Sequence, residues 1–138
     1  MREELDKKLC EKYPKIFVNR HSPATETSMC WGFECGDGWF NILDHLCSNI
    51  QYHIEWRNKS AKEYGVVTQV VAEQVKEKYG TLRFYHTGGD DYIDGLVQMA
   101  ESISSATCEM CGNPGYASAG GWISTLCEKH HEEREFGK

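Results

Sequence analysis

The spacing Cys108-x2-Cys111-x15-Cys127-x2-His130 constrains this 138-residue chain more than any other feature. Two thiols two residues apart, with Gly112 next, form a knuckle that turns both sulfurs toward one ion, and the glycine permits the tight turn. Cys127 and His130 supply a second pair at the start of EKHHEEREF, a strongly helix-compatible stretch. Between the pairs, Gly120-Gly121 suits a hairpin turn flanked by Tyr116 and by Trp122, Ile123 and Leu126. A structural Zn²⁺ held by Cys108, Cys111, Cys127 and His130 is the expectation, because four protein ligands fill a tetrahedral ion and leave no position for substrate. His131 is the alternative fourth ligand, or a base beside a more open site.

Knuckle, hairpin and helix together resemble the treble-clef arrangement. That arrangement also underlies HNH-type nucleases, which need further ligands for a catalytic metal. The hairpin GYASAGGWISTL offers no Asp, Glu, His or Asn, so a nuclease or nucleic-acid binder is the weaker alternative and the chain reads as a non-enzyme. The net charge of −6 also argues against a broad grip on phosphate backbone.

The seven cysteines are an odd number. No apolar run approaches the roughly 20 residues of a membrane helix, and MREELDKKLCEKYPKIF has no signal-peptide core. A cytoplasmic, reducing setting without membrane contact is therefore expected, and disulfides are not. Cys10, Cys30, Cys35 and Cys47 sit beside apolar neighbours and read as buried thiols.

Leu5, Leu9 and Tyr13 predict a short helix that Pro14 ends. The alternation Trp31, Phe33, Cys35 predicts a strand, and Gly36-Asp37-Gly38 a turn in which Asp37 caps the next helix. The stripe from Trp39 through Leu43, Leu46 and Ile50 to Ile54 predicts that helix, running to about Arg57. NKSAKEYG reads as a linker. Over Val66–His86, helical spacing competes with β-branching, and Tyr79-Gly80 decides for a hairpin. GGDD then gives a turn and a cap, and Ile93 to Ile103 a second amphipathic helix ending near Ser105.

A two-residue loop at Tyr79-Gly80 sets Lys78 opposite Thr81, Lys76 opposite Arg83 and Gln74 opposite Tyr85. One face then carries Lys76, Lys78, Arg83 and Tyr85, and the other Val75, Leu82 and Phe84. A solvated polar face is the plain reading of that alternation. Three cations and a phenol would also suit a phosphate or carboxylate. Glu34, Asp37, Asp44 and His45 form a further candidate for acid–base work, with capping and surface exposure as the simpler uses. The four tryptophans read as core or interface residues.

Four blocks, MCWGFECGDGWFNILDHLC, QVKEKYGTLRFY, TCEMCG and GGWISTLCEKH, together resemble a family of small proteins of tailed bacteriophages and related bacterial elements. The resemblance runs from about Leu9 to His130. It implies a phage or prophage setting and action in the cytoplasm of the bacterial host, and it brings no catalytic residue with it.

The expected architecture is α+β. Residues 1–106 form a small antiparallel sheet packed by two or three helices, and residues 107–138 a treble-clef-like zinc module. The expected role is a phage accessory protein that binds an anionic ligand, a nucleotide signal of host defence, through Lys76, Lys78, Arg83 and Tyr85. A protein-interaction module that inhibits a host enzyme is the alternative. A homo-oligomer is compatible with either.

Overall fold

The computed structural model describes residues 1–136, so residues 137 and 138 of the expected C-terminal module lie outside it. The chain is α+β. Helix α1 spans Glu3–Lys12, strand β1 Phe33–Glu34 and helix α2 Phe40–Lys59; a short α3 follows at Ala61–Tyr64. Strands β2 (Val71–Lys78) and β3 (Thr81–Thr87) lead into helix α4 (Asp91–Ser104). Strands β4 (Tyr116–Ala117) and β5 (Thr125–Leu126) then precede helix α5 (Glu128–Phe136). No helix among the described residues is long and apolar enough to cross a membrane.

The central sheet has the order β1-β2-β3 and is mixed rather than wholly antiparallel, because β1 runs parallel to β2. A chain that returns to a parallel neighbour needs a crossover, and here α2 makes it. The β2–β3 hairpin has the expected register: Lys78 opposite Thr81, Lys76 opposite Arg83 and Gln74 opposite Tyr85. Tyr79 and Gly80 both take positive φ, at 53° and 81°, the two-residue turn whose twist matches that of the strands. The Glu77 carboxylate accepts from the Gly80 N–H at 2.8 Å. A bulge at Glu73 lets both Ala72 and Val75 face inward, and both are fully buried.

One core joins these elements. Trp39, Leu43, Cys47 and Ile50 of the α2 region are sealed from solvent together with Leu9, Val75, Leu82 and Ile93. Burial pushes the Cys35 and Cys10 thiols up to about 12 and raises the Cys47 thiol further, so these three remain neutral. Asp90 caps α4, accepting from the Ile93 N–H at 3.0 Å, as GGDD predicts.

Several local expectations are corrected. Helix α2 continues past Arg57 to Lys59, and the supposed linker is mostly helical, stopping at Gly65 with φ 78°. Val66–Val70 precede the strand instead of opening it; Asn58 clamps Val67 there, accepting from its N–H at 2.8 Å and donating to its carbonyl at 3.1 Å. Trp31 lies in a 3-10 turn, is 67% exposed and is no strand residue. Of the four tryptophans only Trp39 is buried. Asp37 does not cap α2, since its carboxylate accepts from the Arg2 N–H at 2.8 Å at the start of α1.

Asp44 also has structural work. It accepts from Lys12 at 2.7 Å and from the Tyr13 hydroxyl at 2.6 Å, which ties α1 to α2. Partial burial alone would raise its pKa, but these two donors outweigh it and the net shift is downward. A carboxylate depressed in the folded state stabilises above its unfolded pKa and stops doing so as pH falls through the folded value. Asp44→Asn is expected to cost about 1 kcal/mol at neutral pH, and its difference from wild type to shrink in strong acid. Urea unfolding at the two pH values measures both.

Candidate metal centre

The donor atoms of Cys108, Cys111, Cys127 and His130 all lie within 4.8 Å of one another. The two halves of the sequence motif come together because the β4–β5 hairpin folds back on the knuckle. Tyr116 pairs with Leu126 and Ala117 with Thr125, and α5 begins immediately after Cys127. Gly112 takes φ 83°, and its N–H donates to the Cys108 carbonyl at 2.9 Å to close the knuckle. The order knuckle, hairpin, helix is that of a treble clef.

The distances fit one tetrahedral ion. Bonds of about 2.3 Å to sulfur and 2.0–2.1 Å to nitrogen imply edges of about 3.8 Å between sulfurs and about 3.6 Å between sulfur and nitrogen. Cys111 Sγ and Cys127 Sγ are 3.8 Å apart, and Cys108 Sγ and His130 Nδ1 3.5 Å; Cys127 Sγ to His130 Nδ1 is tighter, at 3.1 Å, and the set as a whole spans no more than 4.8 Å. Burial would raise the Cys108 thiol, but backbone N–H groups of Cys127, Cys111 and Met110 aimed at its sulfur pull it down to about 6. A sulfur that is a thiolate near neutral pH is a ready metal ligand. His131 is not part of the cluster: its Nε2 pairs with the Tyr116 carbonyl at 2.8 Å and its ring packs on Tyr116 at 4.4 Å.

The core grips this centre through backbone. The Gly38 N–H donates to the Glu109 carbonyl at 2.7 Å, and the Gly36 N–H to the Glu109 carboxylate at 2.8 Å. A Cβ at Gly38 would stand 2.2 Å from the Cys108 carbonyl and 2.6 Å from the Gly112 nitrogen. The glycines of GDGW therefore admit the knuckle, a role beyond that of a turn before a helix. On the other side, Thr125 Oγ1 donates to the Gly80 carbonyl at 2.6 Å and pins β5 to the tip of the β2–β3 hairpin.

The acid–base constellation does not form. Besides Asp37 and Asp44, Glu34 accepts from Gln74 at 3.4 Å, and His45 Nδ1 is paired with the Asn41 carbonyl at 2.8 Å. The predicted basic face does assemble by register. Glu34, aligned with Lys76 across β1–β2, joins it, and at the Tyr85 end Glu73 and Glu26 line a cleft with Gln74 and Tyr85, so the three cations occupy only the turn-side half of the face. Sequence reasoning missed the second use of the two GDGW glycines; glycines flanking a single residue were the available signal, with no sign of what approaches them.

Comparison with protein-family models, with curated proteins and with solved structures gave no match. Fold and site together define an α+β protein with a treble-clef-like Cys3His centre able to hold a metal ion.

Cys111→Ser is expected to abolish metal retention and loosen residues 107–136, read by elemental analysis and by limited proteolysis of the C-terminal third. Gly38→Ala keeps all four ligands, yet should also weaken docking of the module, at a cost of about 3 kcal/mol or more because rigid backbone must move. Wild-type stability in Gly38→Ala would show that the loop does not grip the knuckle.

Proposed function

We propose that the metal is Zn²⁺ in a purely structural role, and that the chain is a non-enzymatic accessory protein of a phage or prophage, acting in the bacterial cytoplasm. It binds a small anionic ligand on the hairpin face of Lys76, Lys78, Arg83 and Tyr85, and the ligand class is a phosphate-bearing nucleotide signal of host defence. Three thiolates and one imidazole in a tetrahedral set suit Zn²⁺ and leave it no open position. Zinc there supplies stability to the module.

One observation carries the ligand reading. Among the described residues, neither lysine nor Arg83 forms an ion pair or a side-chain hydrogen bond, although acidic residues outnumber basic ones 21 to 15 in the chain. Arg83 Nε is shielded from solvent with no partner. Lys76 and Arg83 stand directly opposite each other, where like charges repel unless an anion lies between them. Tyr85, 45% exposed, adds a ring and a hydroxyl at the edge of the basic part of the face, where it also borders Glu26 and Glu73.

An anion that binds only the folded state raises the melting temperature, by about 2.7 kcal/mol of stabilisation at a hundred times its dissociation constant. Cyclic dinucleotides, cyclic mononucleotides and ADP-ribose are the probes, with inorganic sulfate as the control for bare charge. Arg83→Ala should remove most of the shift and leave the unliganded melting temperature nearly unchanged. Lys76→Ala should weaken it less, since an ammonium lacks the two-pronged contact of a guanidinium. If no probe binds, or Arg83→Ala binds like wild type, the face is only solvated.

A further inference from the structure

The outer side of the α2–α4 seam carries an apolar trench that the metal centre and the hairpin face leave unused. On α2, Asn41, His45, Asn49, Tyr52 and Trp56 are all exposed at spacings of four, four, three and four, which is one continuous helix stripe. At one end a cleft of about 320 Å³ lies between this stripe and Leu96, Met99 and Ile103 of α4. At the other end a cleft of about 370 Å³ is walled by Tyr52, Trp56 and Tyr92, with His53 and Arg57 at its back. Asn49 lines both clefts.

We propose that this seam is the interface with a second copy of the chain, packed about a two-fold axis that passes beside Asn49. The proposal is independent of the anion reading, since α4 packs on the apolar face of β3 and the basic residues lie on the opposite face.

Three features select a second copy as the occupant. The first is charge. Two copies each carry −6, so their mating surface must be free of carboxylates, and none lines either cleft. Arg57 is the one permanent charge lining them, and Asp90 behind it, 3.9 Å from Arg57 and 2.8 Å from His53, offsets that charge. Asn49 lies midway between Asn41 and Arg57, so the axis holds the two Arg57 side chains at opposite ends, about 24 Å apart along the helix.

The second feature is complementarity of the ends. Rotation about Asn49 lays the aromatic cleft of one copy over the Met99–Ile103 cleft of the other, at both ends at once, as an isologous contact requires. Methionine sulfur against aromatic rings is a favourable pairing. The third is area. Tyr52 is 71% exposed, Trp56 52%, Tyr92 58% and Met99 63%. A whole aromatic side chain buries about 150–250 Å², so the exposed parts of the three rings supply roughly 400 Å²; Met99, Ile103 and the polar stripe carry the seam toward the roughly 800 Å² per partner of a stable interface.

Sedimentation equilibrium of the 138-residue, metal-loaded chain over a wide concentration range is the test. The expected result is a species of twice the chain mass. Trp56→Glu and Met99→Glu, both at exposed positions, should each raise the dimer dissociation constant about thirtyfold or more without lowering the monomer's helical signal or metal content. Trp122→Glu, an exposed tryptophan on the module, should leave it unchanged. Asn49→Cys should give an intermolecular disulfide joining identical peptides, identified by mass spectrometry. A chain that stays monomeric throughout overturns the proposal, as does a dimer indifferent to Trp56→Glu and Met99→Glu. Capture of a different protein or a small apolar ligand by the seam, without self-association, overturns it equally.

Discussion

The contact between the Gly36–Gly38 loop and the backbone of Cys108–Gly112 governs how the chain holds together. At Gly38 the knuckle meets the core backbone to backbone, without intervening side chains. One backbone hydrogen bond, from the Gly38 N–H to the Glu109 carbonyl, and one from the Gly36 N–H to the half-buried Glu109 carboxylate seal the junction. Burial raises the pKa of that carboxyl, and the Gly36 N–H only partly offsets the effect. Trp39, directly after Gly38, is wholly buried and donates from its indole to the Thr107 carbonyl at 2.9 Å. The stretch Gly36–Trp39 thus joins the core to the module, so an ion held in the Cys3His cluster would couple to core folding through a short piece of chain.

That coupling explains a division of the charged residues. Those near the α1–α2 corner are spent on structure: Asp6 holds Arg20 at 2.9 Å, Asp37 holds Arg2, and Asp44 holds Lys12 and Tyr13. On the hairpin the reverse holds. Glu77, the nearest acid on β2, turns inward to the Gly80 N–H and is withdrawn from the lysines on either side of it. The same turn is then fixed by Thr125, so the module rigidifies the strands that present Lys76, Lys78 and Arg83. A face built on two paired strands would lose little freedom on binding the anion proposed for it.

What the sequence made legible follows the physics of each signal. The Cys3His cluster and the hairpin register were readable because each depends on local spacing: two pairs of donors, and a Tyr-Gly turn that admits positive φ at both positions. The core stripe of α2 and the Asp90 cap were readable for the same reason. The errors involve partners far along the chain. Asp37 carries a capping signature, but Arg2 competes for its carboxylate across 35 residues. Trp31 alternates correctly with Phe33, yet Gly32 at φ 75° turns the chain and leaves the indole outside. The parallel placement of β1 depends on the length of α2, which the polar NKSAKEYG stretch hid by continuing the helical path.

The exposed aromatic residues show a related limit. Periodicity separates an apolar stripe from a polar one, and α2 has both: Leu43, Leu46, Ile50 and Ile54 on one side, Tyr52 and Trp56 on another. Amphipathic rings with a polar edge fit a pattern of surface residues as well as a pattern of contacts, so spacing alone does not separate the two. Geometry does. Tyr92 stacks on His53 at 4.3 Å, and Trp56 lies over Tyr64 at 6.5 Å, so at least two of the exposed rings are already fixed in orientation before anything docks. Rings held in place cost less entropy to bury than free ones. The Met99 end is the adaptable counterpart, with an unbranched side chain that can follow the shape of an aromatic wall. A rigid end and a compliant end on one seam, joined at Asn49, allow the same surface to be both halves of a contact.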